Sequence, residues 1–287
     1  MKHPAPEPGG SGRARALDGL RGVAACAVVF YHAMLHKDPS IIARVLYKPL
    51  QEMTTARDVA TKLALTLFNG EIAVTLFFVL SGCVLRLSLD RQRHEPAFRV
   101  CTAFALARAI RLYPPVIASL LLFYAMSQLH IRELVVFRPQ QFLANATLWA
   151  VAMSGPTYTI RIEVLVVPAI LAAWLLRRRF GVLALVFCVI YAMLAVEARW
   201  MVFGLHDVRA YLLPFMLGML IAEPLLAPLL ESVPARGWWF ALAAVIMCRA
   251  FAPESAIMGL AALTLAAAFL VGGLLHGRQG SLHHLLR

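Results

Sequence analysis

The sequence predicts an all-α fold, a polytopic integral membrane helical bundle of about eight transmembrane helices. Hydrophobic residue types make up 61% of the 287 residues and charged types 15%, whereas a soluble domain is about half apolar and about a quarter charged. Long stretches at 112–129, 180–196 and 255–275 carry no charged residue. A helix needs about 20 apolar residues to cross the hydrocarbon of a bilayer, so lipid is the solvent that accepts this composition.

The apolar runs define one membrane domain between two short polar ends. Residues 1–16 are basic and rich in Pro and Gly, which predicts a flexible cytoplasmic tail. The transmembrane domain is expected over 17–276, followed by a short tail at 277–287. The predicted spans lie at about 17–36, 71–89, 112–130, 157–176, 180–198, 210–230, 237–253 and 255–275.

We expect the first span to be retained in the mature chain and two long connections to separate spans. The first span contains Asp18 and Arg21 and is followed by further spans, so it is not a cleavable signal peptide. A long polar connection at 37–68 separates the first two spans. A second connection at 131–156 contains the semi-apolar stretch FLANATLWAVAM, a candidate re-entrant segment.

The basic residues indicate the orientation of the chain. There are 27 Lys and Arg against 15 Asp and Glu, a net charge of +12. They lie between apolar runs, which favours membrane loops over nucleic-acid binding. With the N-terminus inside, the dense clusters at 86–111 and 177–179 both face the cytoplasm, as the positive-inside rule expects.

The five cysteines indicate neither a disulfide framework nor a metal site. They are Cys26, Cys83, Cys101, Cys188 and Cys248, widely spaced and without a CxxC or Cys/His cluster. Free cysteines pack well in apolar surroundings. We therefore expect no bound metal.

Two ionisable residues of the first span are candidates for function, because charges within a span are costly. Arg21 and His32 are eleven residues apart, which is about three helical turns, so they share one helix face about 16 Å apart. Structural alternatives exist for both. His32 is compatible with an interfacial histidine held by a backbone carbonyl, and Arg21 with a positive-inside anchor or a partner of Asp18.

Further polar candidates lie in later segments. Arg108 and Arg111 are spaced i, i+3 and share a helix face, which suits a pair of phosphate-binding donors or a plain inside anchor. Glu163, at the start of the fourth span, fits a functional carboxylate or an interfacial Glu paired with an arginine. Ser81 and Gly82 form a small pair suited to close helix packing.

Five segments of the chain resemble motifs of the membrane acyltransferase family 3. LDGLRGVAACAVVFYH (17–32) is similar to the first-span signature, GEIAVTLFFVLSGCVL (70–85) to the second-span signature, and RAIRLYPP (108–115) to the arginine motif. PTYTIRIEVLVVPAIL (156–171) resembles a family segment built around a Trp-Ser-Leu stretch followed by Glu, and YLLPFMLGMLIA (211–222) resembles a weaker Pro/Gly motif. The resemblance covers about 17–275.

The resemblance implies an activity. An acyl group, usually acetyl, passes from cytoplasmic acyl-CoA to a hydroxyl of a carbohydrate or lipid-linked glycan at the bacterial inner membrane. It implies catalytic roles for His32 and Glu163 and donor binding by Arg21, Arg108 and Arg111. The expected partners are membrane lipid and the glycan acceptor; the sequence leaves the oligomeric state unknown.

The sequence departs from the family pattern in two places. Tyr158 and Thr159 stand where the family usually has Trp-Ser, with Arg161 as an added charge. Eight spans are predicted where the family usually has about ten, which suggests a short or truncated member. The alternatives are a multi-span transporter or flippase, since intramembrane charges also suit a carrier, and a non-catalytic family member.

Overall fold

The structure, a computed structural model, describes residues 8–129, 138–151, 157–198, 206–232 and 256–276 and the single residues 237, 240 and 243. Throughout these residues the regular structure is helical and no strand occurs, which confirms the predicted all-α class. The helices are α1 (Pro8–Lys37), α2 (Ala56–Leu67), α3 (Gly70–Arg91), α4 (Ala97–Gln128), α5 (Pro139–Ala146), α6 (Thr157–Leu165), α7 (Val167–Phe180), α8 (Val182–Glu197), α9 (His206–Ile221), α10 (Ala227–Ser232) and α11 (Ala256–His276).

Four segments of the described chain are long and apolar enough to cross a membrane. They are Leu17–Lys37, Ala56–Arg91, Ala97–Gln128 and Thr157–Phe180. They contain the first, second and fourth predicted spans and all but the last two residues of the third, predicted at 112–130. Val208–Ile221 and Pro224–Glu231 pass the same test together but are bent by 76°. This bend divides the span predicted at 210–230 into two pieces.

Within the described residues, none of the remaining predicted spans corresponds to one of these candidate membrane-spanning segments. Val182–Val196 and Ala262–Leu275 are shorter apolar helices at the positions of the spans predicted for 180–198 and 255–275. The span predicted at 237–253 lies almost wholly outside the described residues. The total of eight spans therefore stays a prediction.

Two helices start earlier than the sequence suggests. α1 begins at Pro8, inside the predicted N-terminal tail, and α4 begins at Ala97, well before the span predicted from 112. Arg108 and Arg111 therefore lie within a continuous helix. Pro114 and Pro115 follow in the same helix, where they remove two intrahelical N–H donors directly after the arginines.

The chain divides into two compact units, one formed by Met1–Leu87 and Phe180–Arg287 and the other by Ser88–Arg179. In the first unit, α3 and α9 touch through glycine. A Cβ on Gly82 would lie 2.2 Å from the Phe215 carbonyl oxygen, and one on Gly218 would lie 2.2 Å from that of Val79. This confirms the expectation that Ser81 and Gly82 mark a site of close helix packing.

Also in the first unit, the polar connection after α1 is folded. It holds a π-helical turn at Ile42–Leu46 and a 3₁₀ turn at Leu50–Glu52. Ile41, Val45, Leu46 and Leu65 form a buried apolar cluster beside the end of α1. The buried Lys62 ammonium donates to the Leu46 carbonyl at 2.9 Å, so a cation on α2 bonds a terminal carbonyl of the π-helical turn.

The second unit is built on α4. Val116 and Leu120 of α4 form a buried cluster with Leu148, against which Ile160 and Val164 of α6 pack. Also in this unit, the Asp90 carboxylate accepts from Trp174 Nε1 and Arg177 Nη1, both at 3.1 Å. These contacts fix α6 and α7 within the unit.

Candidate functional site

His32 lies near the C-terminal end of α1 and is partly buried. Its ring meets the Tyr31 ring edge-on at 5.7 Å between centroids, and the His36 ring lies 6.5 Å away. One turn separates the two histidines, so both belong to the same helix face. The exposed His36 and the partly buried His32 form an imidazole pair at this end of the first span.

Aromatic packing fixes this end of α1. The start of α3 comes so close that a Cβ on Gly70 would lie 2.7 Å from the Tyr31 ring. The Phe30 and Phe68 rings are 5.0 Å apart. Tyr31 also packs on the buried cluster around Val45. The backbone that carries His32 is therefore held by the packing of Phe30 and Tyr31, the two residues that precede the histidine.

Arg21 lies about three turns before His32 on the same continuous helix, as the eleven-residue spacing predicts. Its Nη1 donates to Asp18 Oδ1 at 2.9 Å, and the two side chains are 32% and 68% exposed. Arg21 is thus paired with Asp18, which is one of the structural alternatives for this arginine. The buried face of this part of α1 consists of Leu17, Leu20 and Ala24, so Arg21 lies beside it.

In the second unit the structure brings two predicted site residues together. Arg108 Nη2 on α4 donates to Glu163 Oε2 on α6 at 2.8 Å. The arginine side chain is 10% exposed and the glutamate side chain 21%. Arg111, one turn further along α4, is exposed. The two arginines therefore occupy different environments, with Arg108 buried in an ion pair and Arg111 facing outward.

Comparison with known protein families accounts for almost the whole chain. The sequence model of a family described as an acyltransferase domain, the third of the acyltransferase families, matches residues 15–286. The chain belongs to this acyltransferase family. No curated protein and no solved structure matches it.

Family membership confirms the resemblance that the motifs of this acyltransferase indicate. The first-span motif lies on α1, the second on α3, the arginine motif on α4 and the Glu163 motif on α6 and α7. The first two belong to one compact unit and the other two to the second. The roles of His32, Glu163, Arg21, Arg108 and Arg111 stay predictions.

Sequence reasoning missed one buried polar contact in this acyltransferase. Arg86 Nη2 on α3 lies 3.2 Å from Glu223 Oε2, at the break that follows α9. Arg86 was assigned by sequence to the basic cytoplasmic cluster, because it follows the apolar core of the second span. The signal that points to the pair is the Glu-Pro step at 223–224, since a carboxylate beside a helix-breaking proline in an apolar run needs a partner.

Proposed function

We propose that the protein is a membrane O-acyltransferase that moves an acyl group, expected to be acetyl, from acyl-CoA to a hydroxyl group. The acceptor is a carbohydrate or lipid-linked glycan of the cell envelope, and the enzyme lies in a bacterial inner membrane with its N-terminus in the cytoplasm. The observation that carries the proposal is the family match over 15–286. Its support among the residues is the presence of Arg21 and His32 on one continuous helix, α1.

Arginines provide the donor side of the proposal. Acyl-CoA has an anionic phosphate end and a long pantetheine arm. Arg108 and Arg111 bind the phosphates through charge-assisted hydrogen bonds, and Arg21 contributes a further cation. The spacing of about 16 Å between Arg21 and His32 is of the same order as the length of the arm.

His32 is the general base of the proposed reaction. An imidazole can take up a proton near neutral pH, and an aliphatic hydroxyl is a poor nucleophile until its proton is taken. The acceptor oxygen bonds to the acyl carbon, the carbon–sulfur bond of the thioester breaks, and the proton held by His32 passes to the CoA thiolate. Glu163 is the second residue to which the family motif assigns a catalytic role.

Acetyl transfer by the purified protein tests this function. The protein in detergent is given radiolabelled acetyl-CoA and a bacterial glycan extract, and labelled ester is counted. Wild type should form product, and His32→Ala should lose about 10²–10⁴-fold of the rate. The matched control is His36→Ala, the neighbouring and exposed imidazole, which should stay within a few-fold of wild type.

The outcomes separate the candidate functions. Wild-type turnover in His32→Ala would refute the base assignment. Uptake of glycan into vesicles without acyl transfer would favour a carrier. Mass spectrometry of surface polysaccharide from cells with and without the gene identifies the acceptor, because each transferred group adds the mass of one acyl unit.

A further inference from the structure

A carboxylate already engages the guanidinium that the donor is expected to use. Arg108 Nη2 and Glu163 Oε2 are 2.8 Å apart, a distance typical of a charge-assisted hydrogen bond. The two side chains are 10% and 21% exposed, so water screens them less than it screens a surface pair. Any further anion at Arg108 must meet the negative charge of Glu163 at close range.

The helices beneath this ion pair are held by apolar packing. Ile160, one turn before Glu163 on α6, and Val164, the residue directly after Glu163, pack against the buried cluster of Val116, Leu120 and Leu148. Val116 lies two turns beyond Arg108 on α4. Because packing holds both backbones, separation of the carboxylate from the guanidinium would require rotation of a side chain.

Arg111 supplies a first contact for an incoming anion. It is exposed and lies one turn from Arg108 on the same helix, where i and i+3 side chains are neighbours. An anion that arrives from solvent meets Arg111 before it reaches the more buried Arg108. Arg111 is thus the outer cation of the pair, and Arg108 is the inner cation, which is bound to the Glu163 carboxylate.

We propose that Glu163 is a displaceable counter-ion of Arg108, which the phosphate of the acyl donor replaces when it binds. This inference rests on the proposed function, since it concerns the donor of the same reaction. A phosphate monoester carries more charge than a carboxylate and has three acceptor oxygens, so it competes well for the planar guanidinium. Donor binding then releases Glu163, and the carboxylate becomes available only when acyl-CoA is present.

The test is the dissociation constant of acetyl-CoA, measured by isothermal titration calorimetry on the full chain in a neutral detergent. Glu163→Gln removes the competing charge and keeps the side-chain shape. We expect its dissociation constant to fall about tenfold, which is about 1.4 kcal/mol. A purely structural role of Glu163 predicts unchanged or weaker binding, so either of those results overturns the proposal.

A matched control is available in the same unit. Glu95 pairs with Arg99 at 3.2 Å, but this pair is exposed, with side chains 51% and 74% accessible. Glu95→Gln removes the same charge from a surface pair and should leave acetyl-CoA binding within about twofold of wild type. If Glu95→Gln tightens binding as much as Glu163→Gln, the effect is general electrostatics and the proposal fails.

A second variant, Glu163→Asp, keeps the test decisive if Glu163→Gln does not fold. Glu163→Asp keeps the charge and withdraws the carboxylate by one methylene, which weakens its reach to Arg108. It should also tighten acetyl-CoA binding, by less than Glu163→Gln. If Glu163→Gln does not fold, an unchanged or higher dissociation constant in Glu163→Asp overturns the proposal.

Transfer kinetics separate this inference from the proposed function. With active wild type, Glu163→Gln should lower both the Michaelis constant for acetyl-CoA and the turnover number. If wild type binds acetyl-CoA without transferring acetyl, the proposed function fails while the dissociation constants still decide the inference. If wild type binds no acetyl-CoA, both fail. If Glu163→Gln instead gains affinity for phosphatidylglycerol in mixed micelles, the phosphate belongs to lipid and the donor-displacement proposal is overturned.

Discussion

Arg86 and Glu223 form an ion pair within the first compact unit, with 3.2 Å between Nη2 and Oε2 and side chains only 1% and 7% exposed. The arginine lies on α3, and the glutamate lies where the chain bends by 76° after α9. One turn before Arg86, Gly82 touches the backbone of Phe215. The glycine contact and the ion pair are thus two parts of one α3–α9 interface.

Removing one partner of this pair should destabilise the protein. Arg86→Met leaves the Glu223 carboxylate buried without this cation, which typically costs about 3–5 kcal/mol. The double variant Arg86→Met, Glu223→Leu should recover most of the loss, because apolar residues of similar volume replace a buried pair with little or no cost. The free energy of unfolding is measured by SDS titration of purified protein in mixed micelles.

The exposed pair of Arg99 and Glu95 provides the control for this measurement. Arg99→Met should change the free energy of unfolding by about 0–1 kcal/mol. If the double variant at 86 and 223 is as unstable as the single variant, the loss of stability does not come from an unpaired buried charge.

A methyl group at the helix crossing should be poorly tolerated. The Cβ of Gly82→Ala would lie 2.2 Å from a backbone oxygen of α9, so the helices must separate, and overpacking of this kind costs about 1–3 kcal/mol. Gly22→Ala is the control, since nothing lies within 4 Å of a Cβ there and alanine favours helix by about 1 kcal/mol. Thermal unfolding of both variants is compared; equal melting temperatures would argue against the close α3–α9 contact.

Acid should loosen the folded connection that follows α1. The Ser40 hydroxyl donates to the Asp38 carboxylate, and with the Arg44 guanidinium it lowers the pKa of Asp38 below its ordinary value of about 3.9. A lowered pKa means that this stabilisation is present above about pH 3.9 and is lost as the pH falls through the folded pKa. Hydrogen exchange over 38–48, corrected for intrinsic rates, should therefore accelerate below about pH 4.

Two variants test the cause of this pH dependence. Ser40→Ala removes the main hydrogen bond to Asp38, so exchange over 38–48 should accelerate at a higher pH than in wild type. Asp38→Asn removes the titrating group and should flatten the pH dependence. An unchanged profile in both variants would mean that Asp38 does not control the stability of this segment.

The predicted orientation is open to cysteine labelling in intact cells. Gln92 and Lys48 are both exposed, and the positive-inside rule puts the first in the cytoplasm and the second outside. In a background with the five native cysteines replaced, Lys48→Cys should react with an impermeant maleimide and Gln92→Cys should not. The reverse labelling pattern would invert the topology and contradict a cytoplasmic donor site.

Local sequence patterns predicted the fold class and the helices that carry the motifs. Apolar length alone located the spans at 17–36 and 71–89, because a membrane helix satisfies its backbone within one segment. The 3.6-residue period placed Arg21 and His32 on the same face of one helix. Periodicity did not predict the bend at Glu223. It also did not predict the early start of α4, because the first part of that helix contains polar residues and resembles a loop in composition.

The side-chain partners were decided by tertiary structure. Arg108 and Glu163 are 55 residues apart in the chain, and Arg86 and Glu223 are farther apart still. Helix periodicity relates only residues within a few turns, so it places each charge on its helix but cannot say which carboxylate it meets. The packing of α6 on α4 and of α9 on α3 makes that choice, because a charge removed from water is stable only beside an opposite charge that the packed helices bring within hydrogen-bonding distance.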